Sequence, residues 1–399
     1  MAKKMLFLFV LLLSLTGMLK AQVTTAGMSG KVMADEESVI GATVVAVHEP
    51  SGTSYGTVTN VDGRFSLQGM RSGGPYKVTV SYIGYQTAIY TGIQLQLGET
   101  YSLNVILHEA SELLGEITIT ASKSKFSAEK TGATTNISSE QLTTLPSINR
   151  SISDFTRISP YASGNSFGGR DGRSNTFTVD GANLNNNFGL SSGLPGGGNP
   201  ISLDAIDEVQ VVIAPYDVRQ ANFIGAGINA ITKSGTNAYR GSAYMYFNNE
   251  VMRGNKIGDT DFGVRAEESK TVYGATFGGP IIKDKLFFFA NVEYEKSPQQ
   301  VITWRAAKEA ETPNNSTISR TTEADLAEFS QILKDKYGYN TGSFTDFPAD
   351  VTNLKLLGRI DWNINQGNKL SVRYNFTNNK TWEAPNGSSG NTGYRLAYN

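Results

Sequence analysis

The chain contains no cysteine. That excludes disulfides, thiolate metal sites and a lipid-anchored cysteine behind an export signal. Histidine is scarce too: His48 and His108 are the only two in 399 residues, and they lie far apart in sequence. No Ser/His/Asp constellation, carboxylate pair or His/Glu zinc cluster stands out, so the reading is a non-enzyme without metal or cofactor. A surplus of either charge is also missing. Lys+Arg number 35 against 36 Asp+Glu, a formal net charge of -1. Both signs are spread along the chain, and nothing calls for a nucleic-acid partner. Beyond the N-terminus no stretch approaches about 18 consecutive apolar residues, so no membrane-spanning helix is expected.

What is present points to β-structure. Glycine (42), Tyr (18) and Phe (19) are plentiful, and helical periodicity is rare. The N-terminus, "MAKKMLFLFVLLLSLTGMLKAQ", has Lys3 and Lys4, an apolar run from Met5 to Leu15, a polar break and Ala21. The run is shorter than the ~20 residues a spanning helix needs. It fits a secretory signal peptide over residues 1–21, although Leu19 is larger than the small residue preferred there.

Residues 22–109 carry short alternating runs between turn signals, about seven strands with a turn roughly every 8–12 residues, which predicts a small antiparallel sandwich. Val78, Val80 and Tyr82 fall on one face, as do Leu103, Val105 and Leu107. Asn60–Gly63 ("NVDG") reads as a hairpin-type turn, with Asn60 and Asp62 as turn residues rather than calcium ligands. Gly41–Val44 ("GATV") and Thr59–Phe65 ("TNVDGRF") resemble the carboxypeptidase regulatory-like domain, a non-catalytic transthyretin-like sandwich.

Residues 110–236 read as a bridge and a small α+β domain. Glu116, Ile117, Thr118, Ile119, Thr120 and Ala121 form an extended β-branched hexapeptide. Such a strand either pairs with an exposed sheet edge or opens the next domain. Ser138 is an expected N-cap with Gln141 as its capping-box partner, and Ile148, Ile152, Phe155 and Ile158 are spaced as one apolar helical face. "NTFTVDG" reads as an antiparallel strand, and "LDAIDEVQVVIAP" as a helix turn leading into a strand. The glycine-rich stretch Gly168–Leu190 is no phosphate cradle, since Gly-Lys-Ser/Thr is missing.

The order of these motifs resembles the plug domain of TonB-dependent outer-membrane receptors. The resemblance rests on Arg173, Ser174 and Asn175 leading into Thr178-Val179-Asp180-Gly181, on Ile206-Asp207-Glu208-Val209, and on Gly227-Ile228-Asn229-Ala230-Ile231-Thr232-Lys233-Ser234-Gly235. It implies that Glu116–Ala121 is the TonB box, that buried arginines join plug to barrel wall, and that Ala182–Pro200 is a loop on the ligand side. Asn183, Asn185, Asn186 and Asn187 are the ligand-loop candidates there, against a loop with no contact role.

From residue 237 to 399 the pattern becomes that of barrel strands. Leu370, Val372, Tyr374 and Phe376 alternate with Ser371, Arg373, Asn375 and Thr377, and Leu354, Leu356, Ile360, Trp362 and Ile364 alternate with Lys355, Arg359, Asp361 and Asn363. Apolar-outward strands of roughly ten residues suit a lipid-embedded barrel. Ser297–Val351 reads as a long extracellular loop holding a helix near Ala324–Tyr337, with Leu326, Phe329, Leu333 and Tyr337 on one face. Phe277–Glu295 resembles early strands of the Oar-like branch of the family, which also carries the N-terminal sandwich. About six to eight strands fit into this region at roughly ten residues each. The expectation is therefore the N-terminal part of a longer receptor, or a truncated product.

The fold class expected is mainly β: a transthyretin-like sandwich, an α+β plug and the first strands of an incomplete antiparallel barrel. The resemblance implies an outer-membrane location with the N-terminal domain in the periplasm. The implied partners are TonB, outer-membrane lipid and an unidentified ligand; ferric siderophores, vitamin B12, glycans and peptides all use this architecture, and the Oar-like resemblance leans toward a peptide or protein. The competing reading is a secreted or surface β-rich interaction protein without transport.

Overall fold

The structure is a computed structural model. It describes residues 23–34, 37–109, 117–120, 133–147, 150–185, 194, 199–215, 217, 220–261, 268–298, 305–313, 318–342 and 350–381. Residues 1–21, expected to be a signal peptide, and Glu116, Ala121, Ile148, Asn186 and Asn187 lie outside these residues. The chain divides into two compact units, 1–242 with 276–291 and 356–375, and 243–275 with 292–355 and 376–399.

The N-terminal strands form two sheets. In the first, β1 (Ala26–Ala34) is the hub. It pairs antiparallel with β2 (Glu37–Ser38) and β5 (Arg64–Met70), and parallel with β8 (Thr100–Ser102) and β9 (Val105–Leu107). The second sheet has the order β10-β7-β6-β3-β4, formed by β10 (Ile117–Thr120), β7 (Ala88–Leu95), β6 (Gly73–Ser81), β3 (Thr43–His48) and β4 (Thr53–Val58). The expected sandwich is thus antiparallel in most of its pairings but not all. Strands arriving from the other sheet enter beside β1 and β7 in the same direction as they run. Val44, Ala46, Val78 and Val80 from one sheet and Met28, Val32, Phe65 and Leu67 from the other fill the core, all 4% exposed or less. Leu103, Val105 and Leu107 join them. Tyr82 does not: it lies beyond the end of β6 and is 37% exposed. The Asn60 turn is held by its own side chain, whose Oδ1 accepts from the N–H of Asp62 (3.0 Å) and Arg64 (2.8 Å). A Cβ on Gly63 would stand 2.6 Å from the Val32 carbonyl, so glycine is required there.

His48 is a packing residue. Its ring lies 5.0 Å from that of Tyr76 and its Nδ1 is 2.7 Å from Ser51 Oγ. Burial and the nearby Arg71 lower its pKa to about 4, so it is neutral at physiological pH.

The central region is a mixed sheet of order β11-β16-β17-β14-β15, built from β11 (Thr134–Ser138), β14 (Thr176–Val179), β15 (Ala182–Asn183), β16 (Ile206–Val212) and β17 (Gly227–Thr232). A small hairpin, β12 (Ala162–Ser163) with β13 (Ser166–Phe167), precedes β14. Ser138 caps α1 (Ser139–Thr144) and Gln141 completes the capping box. The second helical stripe is shorter than its spacing suggests. Helix α2 covers only Ile152–Thr156, burying Ile152 and Phe155. The chain then turns, and Ile158 is 44% exposed. The strand "TFTV" is buried at all four positions because it is internal, antiparallel to β15 and parallel to β17.

The remaining strands make a five-stranded sheet of order β18-β21-β22-β25-β26, using β18 (Arg240–Asn249), β21 (Ser269–Ile282), β22 (Leu286–Pro298), β25 (Asp350–Asn363) and β26 (Lys369–Lys380). Minor pairs are β19 (Lys256–Ile257) with β20 (Thr260–Asp261) and β23 (Arg305–Ala307) with β24 (Ile318–Thr322). On β25 the burial is inside-out: Leu356, Ile360 and Trp362 are exposed while Lys355, Arg359 and Asp361 are buried. On the edge strand β26 Leu370, Val372, Tyr374 and Phe376 are exposed, and of the opposite face Arg373 and Thr377 are half-buried while Ser371 and Asn375 are exposed. Apolar outward and charged inward is the pattern a lipid-facing sheet requires. Helix α3 (Glu323–Tyr337) begins at a Thr322–Asp325 capping box and ends at Gly338. Its apolar stripe is only lightly covered, with Phe329 58% and Tyr337 75% exposed.

Candidate functional site

The central sheet brings the two halves of the plug-like motif together. Val179 and Ala182 are register partners, so Asp180 and Gly181 form a two-residue hairpin loop, both at positive φ (48° and 86°). Such a turn favours Asp-Gly, because Asp tolerates the left-handed region and Gly adopts it freely. The turn aims the Asp180 carboxylate at the end of β17, where Thr232 donates its N–H (3.0 Å) and its hydroxyl (2.6 Å). Asn229 accepts from the Thr178 hydroxyl at 2.7 Å. Asn175 accepts from Ala226 N–H at 2.9 Å and donates to the Asn165 carbonyl at 2.8 Å. The glycines fit by close approach. A Cβ on Gly235 would stand 2.4 Å from the Phe288 carbonyl and 2.7 Å from that of Gly279, and one on Gly227 would meet the Phe223 ring at 2.8 Å.

One expectation is corrected. Arg173 is not a buried bridge to the strands. Its side chain is 51% exposed and folds back on Asp171 at 2.9 Å, because the Asp171-capped 3-10 turn places the two side by side. The guanidinium holds the Asp171 carboxyl below its usual range. Asn185, one of the ligand-loop candidates, has its amide engaged by backbone groups. It accepts from Phe177 N–H at 2.6 Å and donates to the Asn175 carbonyl at 2.9 Å, fastening the loop to β14. Asn183 in turn accepts from Asn185 N–H at 2.8 Å.

The arginines that join the central sheet to the strands come from the strands themselves. Arg359 on β25 donates from Nε and Nη2 to the two oxygens of Asp361 (2.7 and 3.1 Å), and its Nη1 reaches the Thr232 carbonyl and hydroxyl, the latter at 3.2 Å. Arg373 on β26 pairs with Asp180 at 3.4 Å. Ser371 donates to Asp361, and Arg71, from between β5 and β6, approaches Asp361 at 3.3 Å. Asp180, Thr232, Arg359, Asp361 and Arg373 therefore form one continuous polar seam. Bidentate arginine–carboxylate geometry makes it directional as well as strong. Sequence alternation placed Arg359, Asp361 and Arg373 on the inward face without identifying what they meet.

The N-terminal sheets are fastened to the same unit at two places. Leu97 N–H donates to both oxygens of Glu208 (3.0 and 3.1 Å), while the Leu97 carbonyl accepts from Gln210 and, at 3.4 Å, from Asn136. Burial raises the Glu208 pKa to about 8 against the opposing pull of the Leu97 N–H. The second contact is at the strand turns. Asn363 donates to Thr53 (2.9 Å), Asn237 N–H to the Pro50 carbonyl (2.8 Å), and the Lys369 ammonium lies 3.2 Å from the centre of the Tyr55 ring. No group of three or more His, Asp or Glu residues able to hold a metal occurs among the described residues.

The second unit has its own inward ion pairs. Lys355 contacts Glu293 at 2.8 Å and Lys270 contacts Glu295 at 2.7 Å. Tyr244 donates to Glu293 at 2.9 Å.

Comparison with known proteins follows the same order along the chain. Residues 27–108 match the carboxypeptidase regulatory-like domain and residues 231–321 match an outer membrane beta barrel domain. The chain is 24% identical over 343 residues to the TonB-dependent transporter Oar of Myxococcus xanthus, covering 81% of this chain and 30% of that protein. It thus spans under a third of that curated relative. Among solved structures, the siderophore receptor PirA of Acinetobacter baumannii aligns at 18% identity and TM-score 0.44, covering 65% of this chain and 33% of that one. The outer membrane transporter YddB of Escherichia coli aligns at 14% identity and TM-score 0.41, covering 63% and 34% respectively. The domain matches and the curated relative follow the element order found here: this chain is similar to TonB-dependent receptors, with a region matching the carboxypeptidase regulatory-like domain ahead of one matching an outer membrane beta barrel domain, and its place is the outer membrane.

Proposed function

We propose that the chain takes part in TonB-dependent transport of a ligand across the outer membrane into the periplasm. Residues 22–109 would be a periplasmic sandwich, 110–236 the TonB-box region and plug, and 237–399 barrel strands. The observation that carries this reading is the seam of Asp180, Thr232, Arg359, Asp361 and Arg373. It fixes a mixed central sheet to strands that are apolar outward and charged inward. A secreted interaction module has no need of strands that bury Lys and Arg while exposing Trp and Phe.

In this scheme Glu116–Ala121 is the segment that TonB engages by strand pairing. Energy from the inner membrane then pulls the plug out of its polar seat. The Oar-like resemblance leans toward a peptide or protein among the ligand classes that this architecture serves. The test is uptake of a labelled peptide library by cells carrying the full-length receptor. Uptake that vanishes with a protonophore and in the Ile117→Pro/Ile119→Pro variant supports the proposal. Uptake unaffected by both removes it.

A further inference from the structure

The four central residues of the TonB-box candidate already have a strand partner. Ile117, Thr118, Ile119 and Thr120 lie in parallel register with Ala88, Ile89, Tyr90 and Thr91 of β7. On its other side β7 pairs with β6, so without β10 this sheet would end in an open row of N–H and C=O groups. An open edge of that kind is a template for any passing strand. The pairing is also short. It stops at Thr91, and the next residue, Gly92, sits at φ 77°, where the backbone leaves the extended path. Parallel pairs are slightly weaker per residue than antiparallel ones, and four residues make a small ladder. The site therefore holds its strand firmly enough to order it but not beyond displacement.

We propose that the β7 edge of the carboxypeptidase regulatory-like domain is a docking site in cis for residues 117–120, and that TonB must displace this segment from β7 before it can engage the receptor. The inference rests on the assignment of Glu116–Ala121 as the TonB box. It gives the sandwich a defined task, that of covering the segment until a competing strand arrives. The same contact covers β7, so an exported receptor does not expose a free sheet edge.

The test is a reversible lock at Thr91 and Thr120, which are register partners. Paired residues on neighbouring strands sit about 4.8 Å apart, inside the range of about 4.4–6.8 Å that a disulfide spans. Threonine to cysteine is a small change, and the chain has no cysteine of its own to interfere. The full-length receptor carrying Thr91→Cys and Thr120→Cys is oxidised in isolated outer membranes, solubilised, and offered to the purified periplasmic domain of TonB. The expected result is a disulfide in most molecules, with capture reduced by about tenfold or more when oxidised and restored by reductant, as for a site whose competent fraction has been removed. Three results overturn the proposal. Failure of the disulfide to form while the reduced receptor is captured rejects the docking site and leaves the box assignment standing. Equal capture of both forms means that TonB adds to the outer edge of β10 with β7 still attached. No capture of the reduced receptor or of the unaltered one rejects the box assignment, and this inference with it.

Discussion

Replacing Arg359 by methionine should loosen the central sheet from the strands by an amount that can be measured. Arg359 is 8% exposed and Asp361 3%. The guanidinium makes two contacts with Asp361 and two with Thr232. Methionine fills much of the same volume but leaves the Asp361 carboxylate buried with only Arg71 and Ser371 beside it. Removing one partner of a buried pair costs about 3–5 kcal/mol. The remaining contact with Arg71 argues for the lower end. With a urea slope of about 1–3 kcal/mol/M, a loss of about 3 kcal/mol lowers the unfolding midpoint by roughly 1–3 M. The assay is protease protection of the central sheet of the full-length receptor in detergent, across a urea series. Ile360→Met, one residue away on the exposed face, is the control and should leave the midpoint within about 0.3 M of the original. Arg359→Met/Asp361→Leu should recover part of the loss, since no carboxylate then remains under-paired. A midpoint for Arg359→Met as close to the original as that of Ile360→Met would refute the argument that the seam holds the sheet.

Other consequences follow from the same geometry. Gly235→Ala should abolish accumulation of folded receptor, because its Cβ collides with two backbone carbonyls that no rotamer change can move; normal abundance in the outer-membrane fraction would contradict this. Glu208 has a folded pKa of about 8 against an ordinary 4.5, so between those values the folded state holds a proton that the unfolded chain has released. Stability should therefore decline as pH rises from about 4.5 to about 8, and Glu208→Gln should flatten that decline in a series of melting temperatures. His48 has the opposite sign. Its pKa falls to about 4 on folding, so its contribution is present above about 6.5 and is lost as pH falls toward 4; His48→Phe should remove that acid-side loss from the melting curves. Ile360→Lys places a charge on the exposed apolar face of β25 and should cost about 2–4 kcal/mol if that position lies near the bilayer centre. It would be read as reduced receptor in the outer membrane, against little change for Thr377→Ser on the opposite face.

What the sequence made legible was local chemistry. The Ser138–Gln141 capping box, the Asp180-Gly181 turn and the inside-out alternation of β25 each depend on residues within a few positions of one another. Long-range partners were not legible. Glu208 meets Leu97 across 111 residues and Arg359 meets Thr232 across 127, and no local pattern announces either contact. The asparagine-rich loop shows how composition can mislead. Polar side chains in a loop suggest a ligand, but the Asn185 amide is engaged by the backbone of Asn175 and Phe177 at the start of β14. The arginines show the same limit. Arg173 stood in the motif and proved to be a surface residue, whereas Arg359 and Arg373, unremarkable members of an alternating pattern, carry the connection. The spacing of Ile152, Phe155 and Ile158 was sound for a helix, but the turn after Thr156 ended it before Ile158 could be buried.

Residues 116–121 are proposed to couple the full-length protein to TonB. The most direct test is capture of the solubilised full-length receptor by the periplasmic domain of TonB, comparing the original chain with the Ile117→Pro/Ile119→Pro variant. Proline removes two backbone donors from the strand and prevents its pairing with a partner sheet. The original receptor should be captured and the variant should not, with both proteins equally abundant in the outer membrane. Equal capture of the two, or none of either, would contradict the proposal.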